Sequence, residues 1–130
     1  MKKLVLCDDE PHIVEGLRYL LRAPDRQIFI ARNGREAIDL VVGQNPDLLI
    51  IDIMMPVMNG LDAVAALRER EGFKDLPIII LTAKGQASGA DKDEGLLGAN
   101  VIAKPFEPKR LREFVATILE SESSVVQPSN

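Results

Sequence analysis

Five short apolar runs punctuate the chain, at residues 4–7, 28–31, 48–51, 78–81 and 101–103, and they leave little choice of architecture. Each has the length of a strand and is rich in aliphatic or β-branched side chains, without the polar alternation of a strand that has one wet face. Near-continuous apolar strands belong to sheets covered on both sides. The cover lies between them, in segments whose apolar residues recur three and four apart. These stripes are Ile13, Val14, Leu17, Leu20 and Leu21; Ala37, Ile38, Val41 and Val42; Leu61, Val64 and Leu67 within 60–71; and Leu111, Phe114, Val115, Ile118 and Leu119. Strands that alternate with helices imply βαβ crossovers and parallel pairing. The prediction is an α/β fold, a (βα)5 doubly wound domain on a five-stranded parallel sheet.

Local signals agree with this division. Pro11 suits the first turn of a helix, and Asn33 with Glu36 three residues later resembles a capping box. Segment 84–98 is different, because Gly85, Gly89, Gly95 and Gly98 each cost about 1 kcal/mol of helix propensity relative to Ala. A short or mobile helix is expected there. The 130 residues suit one domain, and 46% hydrophobic content fills one core. That domain is assigned to residues 1–120. Residues 121–130 are polar, lack periodicity and end in Gln-Pro-Ser-Asn, so a disordered tail or the start of a linker is expected.

Composition removes several classes of function. Net charge is −4 and the basic residues are scattered, so direct nucleic-acid binding by this segment is not expected. The first apolar run is far too short for a signal-peptide core or a membrane span, which points to a cytoplasmic chain with no membrane association. Cys7 is the single cysteine and His12 the single histidine, which leaves no internal disulfide and no zinc-ligand cluster. Cys7 reads as a small hydrophobe at a strand end, and His12 as part of a solvated helix face.

Doubly wound sheets bind ligands beyond the carboxyl ends of their strands, so the residues just after each apolar run matter most. Asp8 and Asp9 follow the first run, Asp52 the third, Thr82 the fourth, and Lys104 with Pro105 the fifth. Three carboxylates, a hydroxyl and an ammonium would share one cleft. Like charges so close together raise carboxylate pKa values unless a cation offsets them. Oxygen-only ligands with room left for water and phosphate suit Mg²⁺ better than Ca²⁺. With the ion, Lys104 and Thr82 to stabilise phosphoryl oxygens, a carboxylate oxygen has the setting for in-line attack on a phosphoryl donor. Taken singly, Asp8 or Asp9 also suits a helix cap, Thr82 a turn hydroxyl, and Lys104 a surface group.

The stretch Asp52-Ile53-Met54-Met55-Pro56-Val57-Met58-Asn59-Gly60 resembles the phospho-acceptor loop of response-regulator receiver domains of the chemotaxis-regulator type. Cys7-Asp8-Asp9-Glu10-Pro11 is similar to the family's acidic loop, and Pro77-Ile78-Ile79-Ile80-Leu81-Thr82-Ala83 to its fourth strand. Gly98-Ala99-Asn100 and Lys104-Pro105-Phe106 resemble its last strand and the turn that follows. The likeness covers about residues 2–120. It implies a flavodoxin-like sheet of order 2-1-3-4-5 and a magnesium-dependent switch that takes a phosphoryl group from a histidine kinase or phosphotransfer protein. Carried over by position, Asp52 is the phosphorylated aspartate, Asp9 and Asp52 are direct metal ligands, and Asp8 reaches the ion through water. The Met54 carbonyl is a further ligand, Thr82 the switch hydroxyl, Lys104 the pairing charge, and Pro105 follows a cis peptide bond. An output domain or effector protein is the implied downstream partner, acting on a monomer or a phosphorylation-dependent dimer. No metabolic enzyme is implied, since such a domain catalyses only its own phosphotransfer and dephosphorylation.

Two features depart from that family. Val101 stands where an aromatic residue usually lies, three residues before the lysine, and the stretch from Ala99 to Lys104 is one residue short. Valine cannot swing between rotamers as a ring does, so output is expected to rely on Thr82 and backbone shifts, with ordering of 84–98 as one route. Met54 and Lys84, two residues beyond Asp52 and Thr82, occupy positions that tune phosphoaspartate lifetime in the family. Met54, Met55 and Met58 read as packing, since thioethers are poor ligands for a hard ion. Gly60 reads as a backbone conformation at a helix start. Two alternatives stay open: a phosphorylation-independent receiver-like interaction module, favoured by Val101, and a flavin-binding fold, disfavoured by the acids of the first loop.

Overall fold

A computed structural model describes residues 1–82 and 98–125, with side chains described through 120. Five parallel strands form one sheet: β1 (Lys2–Cys7), β2 (Arg26–Ala31), β3 (Leu48–Asp52), β4 (Ile78–Thr82) and β5 (Asn100–Ala103). Their order is β2-β1-β3-β4-β5, as the resemblance implies. The order reverses between β1 and β3, and in doubly wound sheets the carboxyl ends of strands at such a point are where ligands bind.

The apolar runs are continuous because alternate residues feed two separate cores. Val5, Leu49, Ile51, Ile78 and Ile80 pack on one face with Ala37 and Val41 of α2 (Gly34–Gln44) and with Ala63, Val64 and Leu67 of α3 (Gly60–Arg68). Leu4, Leu6, Leu48, Ile50, Ile79 and Leu81 face the other way, onto Leu17 and Leu21 of α1 (Pro11–Leu21) and Leu111, Val115 and Leu119 of α4 (Pro108–Val125). Every residue of β3 and β4 is buried. At roughly 1.5–3 kcal/mol for each fully buried aliphatic side chain, these central strands dominate the hydrophobic stabilisation.

The expected elements that fall within the described residues are present with shifted edges. β1 and β2 each start two residues before their apolar runs, where Lys2, Lys3, Arg26 and Gln27 enter the sheet from its wet end. β3 and β4 each run one residue further, so Asp52 and Thr82 are strand residues and not loop residues. α3 stops at Arg68 rather than reaching Glu71; a short 3₁₀ turn over Glu71–Phe73 follows, and the Arg68 guanidinium donates to the Phe73 carbonyl at 2.7 Å. Val42 is exposed, and Leu40 takes its expected place against the core. α4 continues to Val125, since nothing over 121–125 breaks a helix. The expected helix over 84–98 lies almost entirely outside the described residues, as do 126–130.

Both N-terminal signals operate. Pro11 occupies the first turn of α1. The Asn33 side chain accepts from the Glu36 N–H at 2.9 Å, while the Glu36 carboxylate accepts from the Arg32 N–H at 2.9 Å. The box therefore closes one residue earlier than the usual reciprocal pair.

Candidate functional site

The cleft is built from strand ends. Asp8 directly follows β1, its N–H held by the Ala31 carbonyl of β2 at 3.2 Å. Its side chain is 1% exposed and accepts from the Glu10 N–H at 3.0 Å. Neither acid caps α1, whose N-cap is Glu10 with no side-chain hydrogen bond. Asp52 closes β3 opposite Leu81, and Thr82 closes β4 opposite Ala103 of β5. The Thr82 carbonyl accepts from the Lys104 N–H at 2.7 Å, which extends the β4–β5 ladder to the lysine. The Lys104–Pro105 bond is cis.

Carboxylate oxygens of Asp8, Asp9 and Asp52 lie within 4.8 Å of one another; Asp8 and Asp52 are buried and Asp9 is exposed. Lys104 Nζ reaches two of them, 3.2 Å from Asp8 Oδ2 and 3.3 Å from Asp52 Oδ2. One ammonium faces three carboxyl groups, so acidic groups outnumber basic ones and the formal charge excess is negative. Burial raises the Asp52 pKa above the usual aspartate range; Lys104 pulls it down, Asp8 pushes it up, and a hydrogen bond from the Met54 backbone lowers it. Burial would lower the Lys104 pKa, but the two facing carboxylates outweigh it and leave the ammonium held above its ordinary value. An all-oxygen donor set with that excess charge fits a hard divalent cation such as Mg²⁺.

Residues 4–116 match the profile of the response regulator receiver domain. The chain belongs to that family. Relatives include the alkaline phosphatase synthesis transcriptional regulatory protein PhoP of Bacillus subtilis, 35% identical over 99% of this chain and 52% of the relative. The transcriptional regulatory protein CpxR of Escherichia coli is 36% identical over 100% of this chain and 54% of its own length. The chain thus spans about half the length of the curated relatives it matches. Among solved structures, a putative response regulator from Chloroflexus aurantiacus superposes with a TM-score of 0.80 at 34% identity, covering 92% of this chain and 98% of that one. The receiver domain of the response regulator AraT from Geobacillus stearothermophilus gives 0.84 at 29% identity, covering 97% and 98%.

Of the receiver residues named from sequence, Asp8, Asp9, Asp52 and Lys104 meet in one cluster, and Thr82 is fully buried at the adjoining strand end. Met54 is 60% exposed, and its described contact with the cluster is through its backbone hydrogen bond to Asp52. Lys84 lies outside the described residues. His12 is exposed, with Nε2 4.0 Å from Glu10 Oε2. Cys7 is buried: burial first, then Asp8, Glu36, Asp52 and Asp9, pushes its thiol pKa far up, and Sγ donates to the Asn33 carbonyl at 3.2 Å.

Gly60 corrects one expectation. It is not among the positive-φ residues, so backbone freedom is not the reason for a glycine there. A Cβ at this position would stand 2.1 Å from the Asp52 carbonyl oxygen. The residue is small because the first turn of α3 lies directly on the backbone of Asp52. Spacing along the chain carries no record of that approach.

Proposed function

We propose that the chain is a magnesium-dependent phospho-acceptor switch, in which Asp52 takes a phosphoryl group from a histidine kinase or phosphotransfer protein. The observation that carries this reading is Lys104 bridging Asp8 and Asp52 at 3.2 and 3.3 Å beside a third carboxylate. An Asp52 oxygen would attack phosphorus in line, forming the acyl–phosphate bond as the phosphorus–nitrogen bond of phosphohistidine breaks and the imidazole departs. Lys104 would then move its charge from the aspartates to the incoming phosphoryl oxygens, and the Thr82 hydroxyl would follow it. Asp8, Asp9, Asp52 and the Met54 carbonyl would hold Mg²⁺, which supplies charge neutralisation for the transferring group. Hydrolysis of the phosphoaspartate would reset the switch, with no metabolic substrate.

The new charge of about −2 in a small site would bias the surface around β5 toward an output domain, an effector protein or a second copy of the chain. No described helix is long and apolar enough to cross a membrane, and cytoplasmic action is part of the proposal. Val101, half-buried on the edge strand, supports the second reading, an interaction module that works without phosphorylation.

Intact-protein mass after incubation with acetyl phosphate decides between them, with and without Mg²⁺, on wild type and Asp52→Asn. A magnesium-dependent gain of one phosphoryl group, absent in the variant, is expected. No gain by folded wild-type protein would overturn the acceptor reading in favour of the interaction module.

A further inference from the structure

The loop joining β3 to α3 is closed and strained. The Gly60 N–H donates back to the Ile53 carbonyl at 2.8 Å, and the Met58 N–H donates to the Pro56 carbonyl at 2.7 Å across Val57, whose φ is 68°. A three-residue turn with a β-branched residue at positive φ is a rare conformation. Such strain persists only where surrounding contacts over-determine it.

One of those contacts comes from another helix. Gly34, the first residue of α2, donates its N–H to the Met58 carbonyl at 2.9 Å. First-turn N–H groups have no partner within their own helix, so this donor is available for the loop. Gly34 is buried, and a Cβ there would lie 2.6 Å from that same oxygen, 2.9 Å from Met58 Cγ and 3.1 Å from Ala63 Cβ. Its φ is not positive, so the missing side chain serves contact and not conformation. A second tie runs alongside, where Cys7 Sγ touches Met55 Sδ at 3.3 Å. Met58 is two residues from Gly60, where an added Cβ would stand 2.1 Å from the Asp52 carbonyl oxygen.

We propose that Gly34 is a positioning residue for Asp52: through Met58 it holds the strained acceptor loop, and through Gly60 it fixes the backbone that carries the reacting carboxylate. This rests on the acceptor reading above. A methyl at position 34 forces the Met58 carbonyl from 2.6 Å out to at least the 3.4 Å of an ordinary contact. Displacements of that order at a reacting group slow chemistry by roughly tenfold to a hundredfold.

The test compares Gly34→Ala with Gly43→Ala, a glycine of the same helix with nothing within 4 Å of its added Cβ. Initial rates of phosphoryl gain from acetyl phosphate are read by intact mass at saturating Mg²⁺, with the folded fraction measured by circular dichroism. Gly34→Ala should react about tenfold or more slowly per folded molecule, and Gly43→Ala like wild type. A purely structural role would lower the folded fraction and the final extent while leaving the rate constant of folded molecules unchanged. If wild type gains no mass, the acceptor reading falls and this proposal with it. If wild type reacts and Gly34→Ala keeps pace with Gly43→Ala per folded molecule, the acceptor reading stands and the positioning role is overturned. Should Gly34→Ala not fold, the same change is made in Val57→Gly, whose loop can give way without strain. A slower rate than Val57→Gly alone is expected; an equal rate, or failure to fold again, overturns the proposal.

Discussion

Lys104 Nζ stands 3.3 Å from Asp52 Oδ2, one cation shared between that aspartate and the still more deeply buried Asp8. Removing it leaves two buried carboxylates facing each other. Lys104→Met should therefore destabilise the metal-free protein at neutral pH by about 1–3 kcal/mol, within the range for an orphaned charge partner. The lysine's folded pKa lies above its ordinary value, so its contribution is complete below about pH 10 and is lost as pH rises through the folded value. It also fades toward acid pH as Asp52, whose folded pKa is raised, takes up its proton. Urea midpoints of wild type and variant against pH in a chelating buffer test this; a difference that stays flat through both ends would contradict it.

Asp52 behaves in the opposite sense. Burial raises its folded pKa above the unfolded value, so the native state holds the Asp52 proton more tightly than the unfolded chain does. Its stability contribution is present below about pH 4 and is lost as pH climbs through the raised value, leaving a penalty at neutral pH. Asp52→Asn should then be more stable than wild type at pH 7 in chelator by about 1 kcal/mol, a few degrees in thermal midpoint. The gap should close in acid. Added Mg²⁺ should raise the wild-type midpoint more than the variant's, through preferential binding to the native state. Equal midpoints in chelator at pH 7 would remove the claim of a penalty.

Two glycine-to-alanine changes should differ in sign. At Gly60 the added methyl meets backbone that cannot give, so Gly60→Ala should cost about 3 kcal/mol or more in urea denaturation. At Gly43 it meets open space near the end of α2, and Gly43→Ala should gain about 0.5–1 kcal/mol from helix propensity.

Val57 is 79% exposed at φ 68°, so its side chain contributes little packing to offset its conformation. Val57→Gly should raise stability by about 1 kcal/mol, the left-handed penalty less the extra chain entropy of glycine. A loss of stability on denaturant titration would show that valine packs there in solution.

The sheet was legible because burial on both faces writes itself as unbroken apolar runs, and the cleft residues were legible because they sit one step past those runs. Asp52 and Thr82 looked like loop residues only because a carboxylate or hydroxyl ends an apolar run even where the backbone ladder continues. Polar strand entries such as Lys2 and Arg26 were missed for the same reason. Gly34 and Gly60 were opaque: each is small because a distant or folded-back backbone passes within contact distance, which no local pattern encodes. Val42 was misplaced since α2 buries a narrower stripe than its apolar content suggests.

The sheet is mechanically uneven across the cleft. Asp52 ends a strand laddered on both sides, by β1 and by β4, whereas Lys104 follows a four-residue strand with a described partner on one side only. These act as a stiff spring and a soft one in series. A force between the aspartate and the lysine would displace the soft member more than the stiff one, so the lysine's edge of the sheet is the one expected to move.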